Sequence, residues 1–103
     1  MNTNDLPWKT LREHIVHKHL VRDEQKNLQM DIIKLPPDFT FGEHMHPEAE
    51  WIYILKGSFS DERGIVQAGD FLINDKNSKH TVTTGKEGCE ILCCWCGTVV
   101  SQH

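Results

Sequence analysis

Apolar and polar positions alternate along this chain in runs too short for helices. Stretches rich in β-branched, aliphatic and aromatic residues fall at 15–20, 28–35, 51–55, 71–74, 81–84, 91–95 and 98–100, the length and composition of strands. Turn-forming residues separate them: Pro36-Pro37, Gly57-Ser58, Glu62-Arg63-Gly64, Ala68-Gly69-Asp70, 75–78 and 85–88. Punctuation at that spacing predicts a small sandwich or barrel. One stretch competes, 11–26, where Leu11, Ile15 and His19 share helical spacing. Its valines and alternating histidines read as strand instead. The pattern predicts an all-β fold without repeats, low-complexity tracts or linkers.

Two strands are apolar on both faces. Trp51, Tyr53 and Leu55 alternate with Ile52 and Ile54, and Leu92, Cys94 and Cys96 alternate with Cys89, Ile91, Cys93 and Trp95. A small barrel fills only its inner face, so Ile52, Ile54 and the Cys89 set are expected inside. The outer stripe then needs a cover, either the N-terminal segment around Leu6 and Trp8 or a second copy of the chain. A homodimer is the simpler account.

The 103 residues suit one domain, 1–103. With 15 acidic against 11 basic residues, a formal charge of -4 and scattered lysines and arginines, neither nucleic acid nor a membrane surface is an expected partner. The longest apolar run is five residues, Trp51 through Leu55, far below the roughly 18 needed to span a bilayer, and the polar N-terminus has no signal-peptide core. Four cysteines, Cys89, Cys93, Cys94 and Cys96, crowd one short stretch, unlike a distributed disulfide framework. A reducing, cytoplasmic setting is expected. The small thiols of this cluster read as barrel packing, with a cavity-lining, oxidisable cysteine as the alternative.

The seven histidines carry the chemistry. His44 and His46 stand one residue apart, so on an extended strand both imidazoles leave from one face. Glu50 keeps that parity four residues later, and His80 follows a tight loop from which a neighbouring strand can bring it in. Three imidazoles and a carboxylate suit a divalent ion such as zinc or ferrous iron, with manganese or nickel as further options. His14, His17 and His19 form a second group. Lacking a third ligand in a matching segment, they are expected to lie on a solvated edge strand.

The run His-x-His-x3-Glu-x6-Gly from His44 to Gly57, followed by Gly69-x5-Asp75 and His80, resembles the two motifs of the cupin superfamily. More closely, Leu6-Pro7-Trp8, Leu35-Pro36-Pro37, His44-Met45-His46-Pro47, Asp61-Glu62-Arg63-Gly64 and Gly88-Cys89 resemble the ChrR type of cupin domain, a group also similar to acetylacetone-cleaving dioxygenases. The resemblance covers nearly the whole chain. It implies a single small jelly-roll barrel with one divalent metal held by His44, His46, Glu50 and His80. Three positions depart from the pattern: Asp38 stands where a glycine often opens the first motif, Asp75-Lys76-Asn77 replaces Pro-x-Gly in the second, and Thr84 replaces its closing asparagine. Asn77 tolerates the left-handed turn required.

Two functions follow as expectations. One is a metal-dependent, dioxygenase-like enzyme in which a small bidentate diketone or keto acid chelates the metal, with Glu50 tuning it or shifting to open a position. The other is a metal- or redox-sensing regulatory cupin of the ChrR type without the anti-sigma domain. A metal-free sugar epimerase is disfavoured because every ligand position is filled.

Overall fold

The computed structural model describes residues 1–12, 14–45 and 48–96, the side chains of 43–45 excepted. After a 3-10 turn at Thr3–Asp5, the described residues form eight strands: β1 (Lys9–Arg12), β2 (Ile15–Asp23), β3 (Leu28–Leu35), β4 (Thr40–Met45), β5 (Glu50–Asp61), β6 (Gly64–Gln67), β7 (Phe71–Asn74) and β8 (Lys79–Cys96). Every pairing is antiparallel. The expected all-β jelly roll is the fold found. The expected strand at 98–100 lies outside the described residues.

Two long strands organise it. The second half of β8 pairs with β3 on one side and the first half of β5 on the other, while its first half pairs with β4 and with Phe59 and Ser60 of β5. The first half of β5 also carries β7, and its second half carries β6. The result is one sheet running β1-β2-β3-β8-β5-β7 and a second running β4-β8-β5-β6, with β5 and β8 shared by both. The sequence reading ended a strand at the Gly57-Ser58 turn, with no strand again before 71–74, and set separate strands on either side of a turn at 85–88. The structure corrects this, since both are bends within continuous strands.

The physical reason lies in a close approach of three backbones. Gly57 and Gly88 both hold φ of +74°, a region costly for residues with a side chain. A Cβ on Gly57 would run into the Gly88 carbonyl, and one on Gly88 would stand 2.6 Å from the Leu35 carbonyl oxygen. The positive φ that marks a tight turn here marks the bend that carries β5 and β8 from one sheet to the other.

The core lies between the sheets. Ile15, Ile33, Leu35, Ile52, Ile54, Cys89, Ile91 and Cys93 come from the larger sheet, and Phe59 and Val82 from the smaller. Alternation along β5 and β8 is as the sequence predicts, with Ile52, Ile54, Cys89, Ile91 and Cys93 buried and Tyr53 and Leu55 facing out. Burying each large aliphatic side chain contributes about 1.5–3 kcal/mol.

The departures from the cupin pattern have local explanations. Asp38 and Asn77 adopt left-handed φ of 50° and 66°, the conformation a glycine would supply and which Asp and Asn tolerate best. Thr84 accepts from the Phe39 amide at 2.9 Å and donates to the Pro36 carbonyl at 2.6 Å, tying the loop before β4 to β8.

The N-terminal segment covers a different face from the one that needed cover. Lys18 donates to the Thr3 carbonyl at 2.8 Å, and the ammonium groups of Lys18 and Lys34 sit 4.6 and 5.4 Å from the centre of the Trp8 ring. That strap lies over β2 and β3. Tyr53, Phe71 and Ile73, on β5 and β7, remain exposed.

Candidate metal centre

Glu50 opens β5 and faces the barrel interior, 7% exposed. It lies across from Trp95 on β8 and Asn74 on β7. The Asn74 amide donates to Glu50 Oε1 at 3.0 Å. Burial pushes the Glu50 carboxyl up, opposed by hydrogen bonds from Asn74 and Trp95. A buried carboxylate held by neutral donors is a strong attractor for a cation.

His80, 7% exposed, lies near the start of β8, and His44 on β4 is its direct cross-strand partner. The side chain of His44 and all of His46 lie outside the described residues, so the structure places two of the four expected ligands in full, Glu50 and His80, and the backbone of a third.

A chain of polar contacts joins those two. Asn74 Oδ1 accepts from Arg63 Nη2 at 2.7 Å, and Arg63 Nη1 donates to the Ile73 carbonyl at 3.0 Å. Arg63 also clamps Asp61, with Nη2 to Oδ2 at 2.6 Å and its own amide to Oδ1 at 2.8 Å. Asp61 Oδ2 in turn lies 3.4 Å from His80 Nδ1. Burial alone would raise the Asp61 carboxyl, but the hydrogen bonds and charge of Arg63 outweigh it and hold the group below its ordinary value. An ionised Asp61 beside Nδ1 favours the proton on that nitrogen and leaves Nε2 as the lone-pair donor, the arrangement of metal-bound histidines. Glu62, next in the chain, accepts the Thr81 amide at 2.9 Å and pins the backbone beside His80.

Asn74, Arg63 and Asp61 are functional candidates that the sequence reading did not select. Their signal was weak: Glu62-Arg63-Gly64 reads as a turn, Asp61 entered only as part of the ChrR-type resemblance, and Asn74 reads as the end of a strand.

A second cluster revises an expectation. β1 pairs with β2 at Ile15, Val16 and His17, so His17 is not on an edge, whereas the exposed His19 lies beyond that pairing. On β2, Ile15, His17 and His19 share a face with Asp31 of β3, which sits directly across from His19. Asp31 is 2% exposed. His17, His19 and Asp31 offer ligand atoms that all lie within 4.8 Å of one another. The third ligand was missed because it comes from the neighbouring strand, twelve residues on, where sequence spacing carries no sign of it.

The cysteines are all free thiols. Burial pushes Cys89 up to about 11, with Glu90 adding to the effect, and pushes Cys93 well above its ordinary value, reinforced by Glu50 and Asp31. Such thiols stay protonated at neutral pH and are poor nucleophiles.

No helix among the described residues is long and apolar enough to cross a membrane.

The bent, shared strands and the interior polar row define a cupin barrel. Residues 1–99 match the ChrR cupin-like domain, and the chain belongs to that family. A comparison with curated protein sequences gives no significant match. Among solved structures, the chain is similar to one from Rhodobacter sphaeroides SigE in complex with the anti-sigma ChrR, at 24% identity and a TM-score of 0.78. The alignment covers 91% of this chain and 51% of that one, so this chain spans about half its length. A putative acetylacetone dioxygenase from Methylibium petroleiphilum is 18% identical with a TM-score of 0.80, covering 99% of this chain and 80% of the other. An RmlC-like cupin from Shewanella frigidimarina is 14% identical with a TM-score of 0.79, covering 95% and 89%. Likeness at these identities is likeness of fold.

Proposed function

We propose that the chain, as a single domain spanning 1–103, holds one divalent metal through His44, His46, Glu50 and His80 and acts as a dioxygenase-like enzyme on a small diketone or keto acid. The observation that carries this is the polar chain from Glu50 through Asn74, Arg63 and Asp61 to His80, which orients two ligand candidates from opposite ends of the long strands. The donor set fits a divalent ion: a buried carboxylate, and an imidazole whose second nitrogen faces an ionised aspartate. Ferrous iron or zinc is the favoured occupant, with manganese or nickel also compatible. Such an ion supplies a Lewis acid that a bidentate oxygen ligand can chelate. The chain's own contribution is to position Glu50 through the Asn74 amide, which partly offsets the effect of burial, fix the His80 tautomer through Asp61, and wall the site with Ile52, Ile54 and Trp95. Four free cysteines suit a cytoplasmic setting.

Family membership favours a second reading, a metal-dependent regulatory cupin that binds a small ligand or a protein partner. In that reading sensing runs through the metal, because the raised Cys89 and Cys93 thiols are unsuited to peroxide chemistry.

Protein purified without added metal, assayed for metal content and then loaded with ferrous iron, separates the two. Oxygen uptake with small diketones or keto acids, lost in His80→Ala, supports the enzyme. Stoichiometric metal with no oxygen uptake across that panel supports the regulatory reading. Metal content unchanged in both His80→Ala and Glu50→Ala would reject the site itself.

A further inference from the structure

The cluster on β2 and β3 goes beyond the centre proposed above. His17 Nδ1 stands 3.0 Å from Asp31 Oδ2, and His19 Nδ1 stands 2.7 Å from Asp31 Oδ1. The two imidazoles meet at a ring-centroid separation of 6.3 Å and an interplanar angle of 66°. Each thus approaches a different oxygen of the same carboxylate.

The two contacts are not alike. His17 and Oδ2 have the geometry of a hydrogen bond. Oδ1 is fully buried and has no hydrogen-bond partner, although His19 is well within range, so the shortfall is one of direction. A buried carboxylate oxygen without a donor is costly, and a fold seldom leaves one without a reason. Asp31 Oδ1 and His19 Nδ1, close together but not bonded to each other, leave lone pairs available to a common third atom. Neighbouring ligands on one ion, with bonds of about 2.1 Å, stand roughly 3–3.5 Å apart, near the 3.0 and 2.7 Å of the two histidine–carboxylate pairs, and all three ligand atoms lie within 4.8 Å of one another.

The site is also distinct in position. Along the sheet, His19, Asp31, Cys93 and Ile52 form one cross-strand row, whereas Glu50 belongs to the next, with Gln29, Trp95 and Asn74. The Cys93 thiol, 1% exposed, stands between the two carboxylates.

We propose that His17, His19 and Asp31 form a second divalent metal site, of two imidazoles and one carboxylate, that takes a borderline transition ion such as zinc. Its ligands come from adjacent strands, so the ion clips β2 to β3. Two imidazoles and one carboxylate leave coordination positions open, and His19, with 37% of its side chain exposed, lies where solvent or a small ligand can reach them.

The test counts zinc on chelator-stripped full-length protein, after zinc loading and gel filtration, by elemental analysis. Asp31→Asn and His19→Ala are each expected to hold one zinc ion fewer per chain than the unsubstituted protein. His80→Ala, run in parallel, is expected to keep the ion that Asp31→Asn loses. Asp31→Asn preserves size; should it fail to fold, the partly exposed His19 decides through His19→Ala. Zinc content equal to the unsubstituted protein in His19→Ala and in folded Asp31→Asn would overturn the site. So would a single ion lost alike from Asp31→Asn and His80→Ala, which would mean that both clusters serve one ion. A count unchanged in His80→Ala but lowered in Asp31→Asn would reject the proposed function while supporting this site.

Discussion

Asp61 faces the Nδ1 of His80 across 3.4 Å, with its carboxylate gripped on the other side by Arg63. The aspartate is 2% exposed at its side chain, so solvent screens its contact with the imidazole little. Replacing it removes the carboxylate that favours the proton on Nδ1.

Asp61→Ala is therefore expected to weaken divalent metal binding by about 10- to 100-fold, the usual cost of losing the partner of a metal-bound histidine. Asn74→Ala, at the other end of the chain, is expected to do the same through Glu50. Competition against a chromophoric chelator measures both. Affinities within twofold of the unsubstituted protein would show that the network serves the fold alone.

How far the sequence reached depends on the range of the interactions. Strand alternation in β5 and β8 was legible because the inner set, Ile52, Ile54, Cys89, Ile91 and Cys93, repeats every second residue regardless of what lies opposite. His44 and His80 were legible through motif spacing, and the structure pairs their backbones. Gly57 and Gly88 were misread because positive φ has the same local signature in a turn and in a bend. What decides between them is the Leu35 and Gly88 backbone alongside. Asp31 was invisible for a related reason: a lone aspartate in an apolar strand acquires meaning only when β2 lays His17 and His19 against it. Arg63 likewise looks like turn chemistry until Asn74 and Asp61 close on it.

The backbone approach at Gly57 gives a stability prediction. Gly57→Ala must place a side chain at positive φ and push it into the Gly88 carbonyl, in a place where neither backbone can retreat without breaking the shared strands. A loss of roughly 2–4 kcal/mol is expected. Urea denaturation checks it, and a midpoint unchanged from the parent chain would show that the bend can relax.

The thiols predict an alkaline limit. The Cys89 thiol is raised from 9.0 to about 11 in the folded chain, so folding disfavours its thiolate. The sign follows: stability is intact below pH 9 and is lost as pH rises towards 11, at up to about 1.4 kcal/mol per pH unit for each thiol that titrates only on unfolding. Cys93 acts in the same direction. Melting temperature measured from pH 8 to 11 should fall across that window, and the fall should be shallower in Cys89→Ala and Cys93→Ala. At pH 7.5 the exposed Cys96 should react with a thiol reagent well before either. Rapid modification of Cys93 in the native state would contradict its burial.

The outer face of β5 and β7 predicts an assembly. Tyr53 lies opposite Phe71, and Trp51 opposite Ile73; Tyr53, Phe71 and Ile73 are 43%, 59% and 46% exposed. These residues form one apolar patch, and the N-terminal strap that could have covered it is engaged over β2 and β3 through Trp8 instead. A second copy related by a twofold axis would cover the patch with itself, so each residue would occur twice in the contact. Phe71→Lys then places two charges in one apolar interface and is expected to raise the dimer dissociation constant by at least about 100-fold, since desolvating unpaired ammonium groups costs several kcal/mol. Ile65, 78% exposed on β6, supplies the control, because Ile65→Lys changes a similar side chain away from this patch and should leave the assembly unchanged. Light scattering over a concentration series reads both. An unsubstituted chain that stays monomeric at high micromolar concentration would show that the patch serves something other than self-association.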